Sequence, residues 1–136
     1  MILIDTSIWI EVFRRRHPLD LESLAPFDEI VVCLPVVQEI LQGIGDESGY
    51  RVARNALLAM PTIESPMDEG VFLEAAQLFR AARRAGFTVR SSVDCLIASC
   101  ALRHDIPVLH NDRDFTALAR ISALKTQQVR PLRSSQ

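Results

Sequence analysis

Lysine is almost absent from the chain: Lys125 is the only one, so fourteen of the fifteen basic residues are arginine. The formal net charge is -2, which excludes the broad basic surplus that marks many nucleic-acid-binding domains. No apolar run approaches the roughly 20 residues that a membrane span requires. The N-terminus has no basic stretch ahead of its apolar residues, so a secretory signal is not expected either. Cysteine is sparse, and Cys33, Cys95 and Cys100 form no CxxC pair and no metal-ligand spacing. All three sit in apolar or helical stretches and read as small core residues of a cytoplasmic protein. His17, His104 and His110 also lack ligand spacing and read as surface or strand-end residues. Repeats, low-complexity tracts and linkers are missing too. The 136 residues therefore describe one domain, with a frayed tail expected over 131–136.

What is present is an ordinary globular composition, 49% hydrophobic and 24% charged, long enough for one real core. Ile2, Leu3 and Ile4 form a continuous apolar run, the signature of a strand buried on both faces of a parallel sheet. The run stops at Asp5, and a helix is predicted from Thr6 to Arg16, ending before His17-Pro18. A second helical segment is predicted around Leu19–Ala25, and a second buried strand over Glu29–Cys33. Pro35 opens a helix at its favoured first-turn position, with Val36, Val37, Ile40, Leu41 and Ile44 as the apolar stripe.

A helix over Glu47–Met60 is predicted to turn Val52, Ala56, Leu57 and Met60 inward, and Pro61–Glu64 forms a short strand. Ser65-Pro66-Met67-Asp68 reads as a capping box with proline at the first helical position. Its helix presents Phe72, Ala75, Ala76, Phe79 and Ala82 and stops at Gly86. Ser91–Asp94 starts another helix, with Val93, Leu96, Ile97, Cys100 and Ala101 at helical spacing. Ile106–His110 is a fourth strand, Asn111–Asp114 a polar turn, Phe115–Ile121 a helix and Thr126–Val129 an edge strand. Strands alternating with helices predict a three-layer α/β sandwich with right-handed crossovers.

In such a fold, helices that follow strands begin at the carboxyl edge of the sheet. Asp5 ends the first strand, Glu39 lies about one turn into the helix after the second, and Asp94 lies in the first turn of the helix feeding the fourth. Asp112 and Asp114 lie just past the fourth strand. Like charges gathered on one rim repel and raise each other's pKa unless a counter-charge offsets them. A hard divalent cation such as Mg²⁺ or Mn²⁺ is that counter-charge, since it prefers carboxylate and water oxygens. A carboxylate-only metal suits water activation and the clamping of phosphoryl groups. Each acid also has a plainer reading: Asp5 as a helix cap, Asp94 as partner of Ser91 in a capping box, Glu39 as an exposed side chain, and Asp112 and Asp114 as turn formers. Thr6 and Ser7 are placed to hold the Asp5 carboxylate. With Asp5 given to metal, the cap falls to Thr6 or Ser7.

The segments Leu3-Ile4-Asp5-Thr6-Ser7, Pro35-Val36-Val37-Gln38-Glu39-Ile40, Ser92-Val93-Asp94-Cys95-Leu96-Ile97-Ala98 and His110-Asn111-Asp112-Arg113-Asp114-Phe115 resemble the four acidic motifs of PIN-domain ribonucleases. The similarity covers essentially the whole chain and is greatest to the VapC toxins of bacterial toxin–antitoxin pairs. The resemblance implies a five-stranded parallel sheet in order 3-2-1-4-5 and a Mg²⁺- or Mn²⁺-dependent endoribonuclease. It carries metal-binding roles onto Asp5, Glu39, Asp94 and Asp112, with Asp114 as a weaker candidate. It also implies a homodimer and a small VapB-like antitoxin whose tail occupies the acidic groove. Arg14, Arg15, Arg16 and Arg113 are the candidate contacts to flanking RNA phosphates. The nearest alternative is a PIN-type nuclease with a housekeeping role in RNA processing. A phosphoacceptor signalling module is disfavoured, because it needs a second acid after the first strand and a lysine after the fifth.

Overall fold

In the computed structural model, which describes residues 1–130, five parallel strands form one sheet. The strands are β1 (Ile2–Ile4), β2 (Ile30–Cys33), β3 (Thr62–Ile63), β4 (Val108–His110) and β5 (Thr126–Gln128). Their order is β3-β2-β1-β4-β5, as the resemblance implies. The tail expected over 131–136 lies outside the described residues.

β1 is the central strand, with Leu3 paired to Val31 of β2 on one side and to Val108 of β4 on the other. Leu3 and Ile4 are fully buried, which is why this strand is apolar without alternation. Six helices connect the strands: α1 (Thr6–Val12), α2 (Leu34–Gln42), α3 (Glu47–Leu58), α4 (Glu69–Arg84), α5 (Ser92–His104) and α6 (Arg113–Arg120). α1 packs on α2 and α2 on α3, while α4 packs on α5 and α5 on α6. Right-handed crossovers put these two groups on opposite faces of the sheet. The chain winds from β1 outward through β2 to β3, then returns to add β4 and β5 on the other side. The winding reverses at β1, so the crevice that a doubly wound sheet opens for ligands lies at the carboxyl end of this strand. Asp5 is the first residue beyond it.

Several local expectations are corrected. α1 ends at Val12 rather than Arg16: Phe13 closes it by donating its N–H to Trp9 O and stacks on the Trp9 ring at 5.7 Å. Arg14, Arg15 and Arg16 are exposed, so another turn would have buried nothing to offset its ordering. The segment around Leu19–Ala25 holds only a 3-10 turn, Leu21–Ser23, capped by Asp20. Pro18 and Pro26 bound the segment on either side.

Ser65 and Pro66 do not start α4. Asp68 caps it, accepting from Val71 N at 3.3 Å, so of two start signals the downstream one prevails. The buried face of α4 is Val71, Ala75, Leu78 and Ala82, while Phe72 is 50% exposed and Ala76 is also exposed. Both stripes are apolar, so periodicity alone permits either. In α3, Ala53 and Leu57 face inward and Val52 does not, for the same reason. Asn111–Asp114 is more than a turn, since Asp112 caps α6 and Asp114 sits in its first turn. Gly86 does stop α4: at φ 87° it lets Gly86 N reach Arg83 O and Phe87 N reach Ala82 O, closing the helix end.

Candidate metal centre

Asp5 follows the last residue of β1 and caps α1, its Oδ2 accepting from Ser7 N at 3.0 Å and from Ser7 Oγ at 2.6 Å. The cap therefore belongs to Asp5 itself and not to Thr6 or Ser7. Ser7 Oγ in turn accepts from Asn111 N at 2.9 Å, which ties the end of β1 to the loop after β4. One carboxylate oxygen of Asp5 is thus committed to the helix. The other, Oδ1, is buried and has no hydrogen-bond partner.

Thr6 turns the other way. Its hydroxyl donates to Glu39 Oε1 at 2.7 Å, so it orients Glu39 rather than Asp5. Glu39 is half-buried and projects from α2 toward the same rim. Asp94 lies in the first turn of α5, where Ser91 caps and accepts from Asp94 N at 3.4 Å. The cap and the convergent side chain coexist, because capping uses the Asp94 backbone and leaves its carboxylate free to point inward.

Asp112 and Asp114 divide their work. Asp112 Oδ1 accepts from Asp114 N at 2.9 Å as the α6 cap. Asp114 Oδ2 accepts from Arg90 N at 2.9 Å and Ser91 N at 3.1 Å, holding the approach to α5 against α6. Asp94 Oδ2 and Asp114 Oδ1 are buried and unpartnered, like Asp5 Oδ1.

The structure brings all five acids together. One ligand oxygen from each of Asp5, Glu39 and Asp94 lies within 4.8 Å of the other two. The same holds for Asp94, Asp112 and Asp114, so Asp94 belongs to both groups. Asp5, Asp94 and Asp114 are only 2%, 3% and 2% exposed. Burial is the main cause pushing the Asp94 carboxyl up to about 9 from its ordinary 3.8, reinforced by the charges of Asp5 and Asp112, a hydrogen bond to Asp112 and the charge of Asp114. Burial also raises Asp5, to about 6, with the Ser7 hydrogen bonds opposing the rise.

Three buried carboxylate oxygens without donors are costly as they stand. No lysine, arginine or histidine forms an ion pair with any of the five among the described residues. An all-oxygen set of this kind suits a hard divalent cation better than a softer one.

The four candidate phosphate-contacting arginines are not placed alike. Arg14 pairs with Glu11 at 3.0 Å and Arg15 with Asp46 at 3.3 Å. Arg14, Arg15 and Arg16 follow the far end of α1, a helix length from Asp5, and the structure does not bring them to the acids. Arg113 is exposed at the start of α6, directly beside Asp112. His110 is the strand-end residue that the sequence suggests, but it is fully buried and its Nδ1 accepts from Asp112 N at 3.2 Å. Burial lowers its pKa, which keeps that nitrogen an acceptor. The only sequence cue to this role is its place between a strand and Asn111-Asp112. The backbone donors of Arg90 and Ser91 have no cue at all, since no side-chain pattern signals them.

Known proteins resemble this chain over nearly all of its length. The PIN domain family model matches residues 2–121. A VapC ribonuclease of Mycobacterium bovis is 39% identical over 136 residues, covering 96% of this chain and all of that protein, and ribonuclease VapC11 of Mycobacterium tuberculosis matches to the same extent. Among solved structures, VapBC2 from Rickettsia felis bound to a promoter DNA fragment superposes with a TM-score of 0.73 at 17% identity, covering 96% of this chain and 100% of that one. VapC20 of Mycobacterium tuberculosis, a Sarcin-Ricin loop cleaving toxin, superposes with a TM-score of 0.68 at 17% identity, covering 92% and 99%. The chain belongs to the PIN-domain family, within its VapC ribonuclease branch.

Proposed function

We propose that the chain is a Mg²⁺- or Mn²⁺-dependent endoribonuclease that acts as the toxin of a VapBC-type pair and arrests growth by cutting RNA needed for translation. The observation that carries this reading is the set of three buried, unpartnered oxygens on Asp5, Asp94 and Asp114, gathered with Glu39 and Asp112 on one rim. The family supplies the reaction class, hydrolysis of a phosphodiester.

Asp5, Glu39, Asp94 and Asp112 would hold the cation, with Asp114 adjoining it. A bound Mg²⁺ or Mn²⁺ supplies positive charge that acidifies water and offsets charge building on the phosphate. The chain's own residues prepare the site. Ser7 fixes the Asp5 carboxylate by two hydrogen bonds, and Thr6 fixes Glu39 by one. His110 and Asp114 N fix the backbone and side chain of Asp112. Asp94, pushed up to about 9, holds a proton at neutral pH when no cation is bound. Proton and cation compete for the same carboxylate, so cation affinity falls in acid.

The antitoxin is read from the same groove. An incoming arginine would pair with these carboxylates in bidentate fashion and exclude the cation. The apolar cleft bordering Glu39, walled by Leu34, Met67, Phe72, Val93 and Leu96, would take the apolar residues of such a segment. The exposed Val52 and Leu58 on α3 leave apolar area for a second copy of the chain, in keeping with a homodimer.

Incubation of the purified chain with a mixed pool of structured RNA tests the enzyme. Cleavage is expected with Mg²⁺, and it should cease with EDTA and in Asp94→Asn. Cleavage that survives both would overturn the reading. Growth arrest on expression, relieved by Asp5→Asn, separates the toxin from a housekeeping nuclease of the same family.

A further inference from the structure

A second feature adjoins the acidic rim and has the opposite charge. A cleft of about 370 Å³ runs along α6, with Arg113, Thr116 and Arg120 on one side and Gln128 and Arg130 on the other, beside Phe87. Arg113, Thr116 and Arg120 lie at i, i+3 and i+7, so they share one stripe of the helix. Arg113 immediately follows Asp112 and Arg120 ends the helix, so the stripe leads away from the carboxylates by roughly 10 Å. The far wall is registered to the same rim, because Val129 N donates to His110 O at 2.7 Å. Arg130 therefore leaves the sheet beside the strand that delivers Asp112.

None of Arg113, Arg120 and Arg130 forms an ion pair among the described residues. Arg120 is instead held over the Phe87 ring, 5.6 Å from its centroid, which fixes its plane without neutralising it. Three arginines without ion pairs among the described residues surround one cleft and concentrate positive charge there, in a chain of net charge -2. Arginine forks match phosphate oxygens bidentately, and Gln128 and Thr116 add neutral polar groups.

We propose that this cleft is a phosphate-binding subsite for the RNA strand, gripping the backbone to one side of the phosphodiester at the carboxylates. The inference rests on the ribonuclease reading and deepens it by naming the surface that positions the substrate. It keeps the phosphate-contacting role at Arg113, adds Arg120 and Arg130, and takes it from Arg14, Arg15 and Arg16. An RNA polyanion fits better here than an acidic protein segment, because Arg113 on the cleft wall directly follows Asp112 of the carboxylate cluster, where a phosphodiester has to lie on the ribonuclease reading.

The test uses the intact chain and a labelled 20-nucleotide single-stranded RNA of mixed sequence. Binding is measured across a salt series in EDTA, which stops cleavage, for wild type, Arg120→Glu, Arg130→Glu and the control Arg54→Glu on α3. Each cleft variant is expected to weaken binding about tenfold and to flatten the salt slope by about 0.7 for each phosphate no longer neutralised, with Arg54→Glu unchanged. In Mg²⁺, the cleft variants should raise KM and leave kcat within about twofold, since neither residue touches the reacting phosphate. Unaltered RNA binding in correctly folded Arg120→Glu and Arg130→Glu, judged by circular dichroism, would overturn the proposal. If wild type binds RNA through the cleft but never cleaves it, the ribonuclease reading fails and the phosphate subsite stands.

Discussion

Thr6 Oγ1 donates to Glu39 Oε1 at 2.7 Å, joining the first residue of α1 to the middle of α2 across 33 residues of sequence. The hydrogen bond makes the orientation of one acid depend on the residue beside another. Thr6→Val keeps the shape and removes the donor. Such supporting hydrogen bonds change metal affinity or activity by about 10- to 100-fold. The expected result is a Mg²⁺ activation curve shifted to higher concentration, with a melting temperature within a few degrees of wild type. Titration of cleavage rate against Mg²⁺ checks this, and an unshifted curve would show that Glu39 needs no help.

Stability in the absence of metal should fall as pH rises. Below about pH 4, Asp94 is protonated in both the folded and the unfolded chain. Between about 4 and 9 the folded carboxyl keeps a proton that the unfolded chain has released, so unfolding releases protons and rising pH favours it. Asp5 adds the same effect between about 4 and 6. Each pH unit between the ordinary and the raised pKa is worth up to about 1.4 kcal/mol, so the melting temperature should fall by several degrees per pH unit. Asp94→Asn should flatten the profile and melt higher than wild type at pH 8 in EDTA. Thermal melts from pH 5 to pH 9 measure it directly, and a wild-type profile that rises with pH would contradict the buried cluster.

Divalent cations should oppose that slope. Binding to the folded chain alone stabilises it by mass action, about 2.7 kcal/mol at a hundredfold excess over Kd. Mg²⁺ or Mn²⁺ is therefore expected to raise the melting temperature at pH 8 by more than at pH 5, and to do little for Asp94→Asn. Differential scanning fluorimetry with and without each metal gives the comparison.

The fold is legible in the sequence because its signals are redundant. β1 is a run of apolar residues ended by an acid, β2 is β-branched, and Gly86 sits where α4 must close. The acids are legible for a related reason: strand ends and helix starts are set by these same signals, so Asp5, Asp94 and Asp112 can be placed without knowing any distance. The differences fall where two apolar stripes compete, as with Phe72 against Val71, or where two caps compete, as with Ser65 against Asp68. Adjacency in sequence points Thr6 at Asp5, yet helix geometry turns its hydroxyl to Glu39. The backbone donors that hold Asp114, and the cation–π contact that holds Arg120, depend on packing and leave no pattern to read.

Asp114 and Asp112 should separate in their effects. Asp114 Oδ2 takes two backbone N–H bonds from Arg90 and Ser91, both ahead of α5. Hydrogen bonds to a charged group contribute about 1.5 to 3 kcal/mol each, partly offset here by relief of repulsion among the acids. Asp114→Ala is expected to cost about 2 kcal/mol of stability and to loosen the start of α5, while Asp112→Asn should change stability little and abolish cleavage. Urea denaturation of both variants beside an RNA cleavage assay distinguishes them.

Electron paramagnetic resonance of Mn²⁺ titrated into the purified chain is the most direct measurement of the carboxylate centre. Saturable binding is expected for wild type at pH 8, weakened at least tenfold in Asp94→Asn and unchanged in Arg54→Glu. Equal Mn²⁺ affinity in wild type and Asp94→Asn would mean that the acids gathered around Asp94 do not form a metal site.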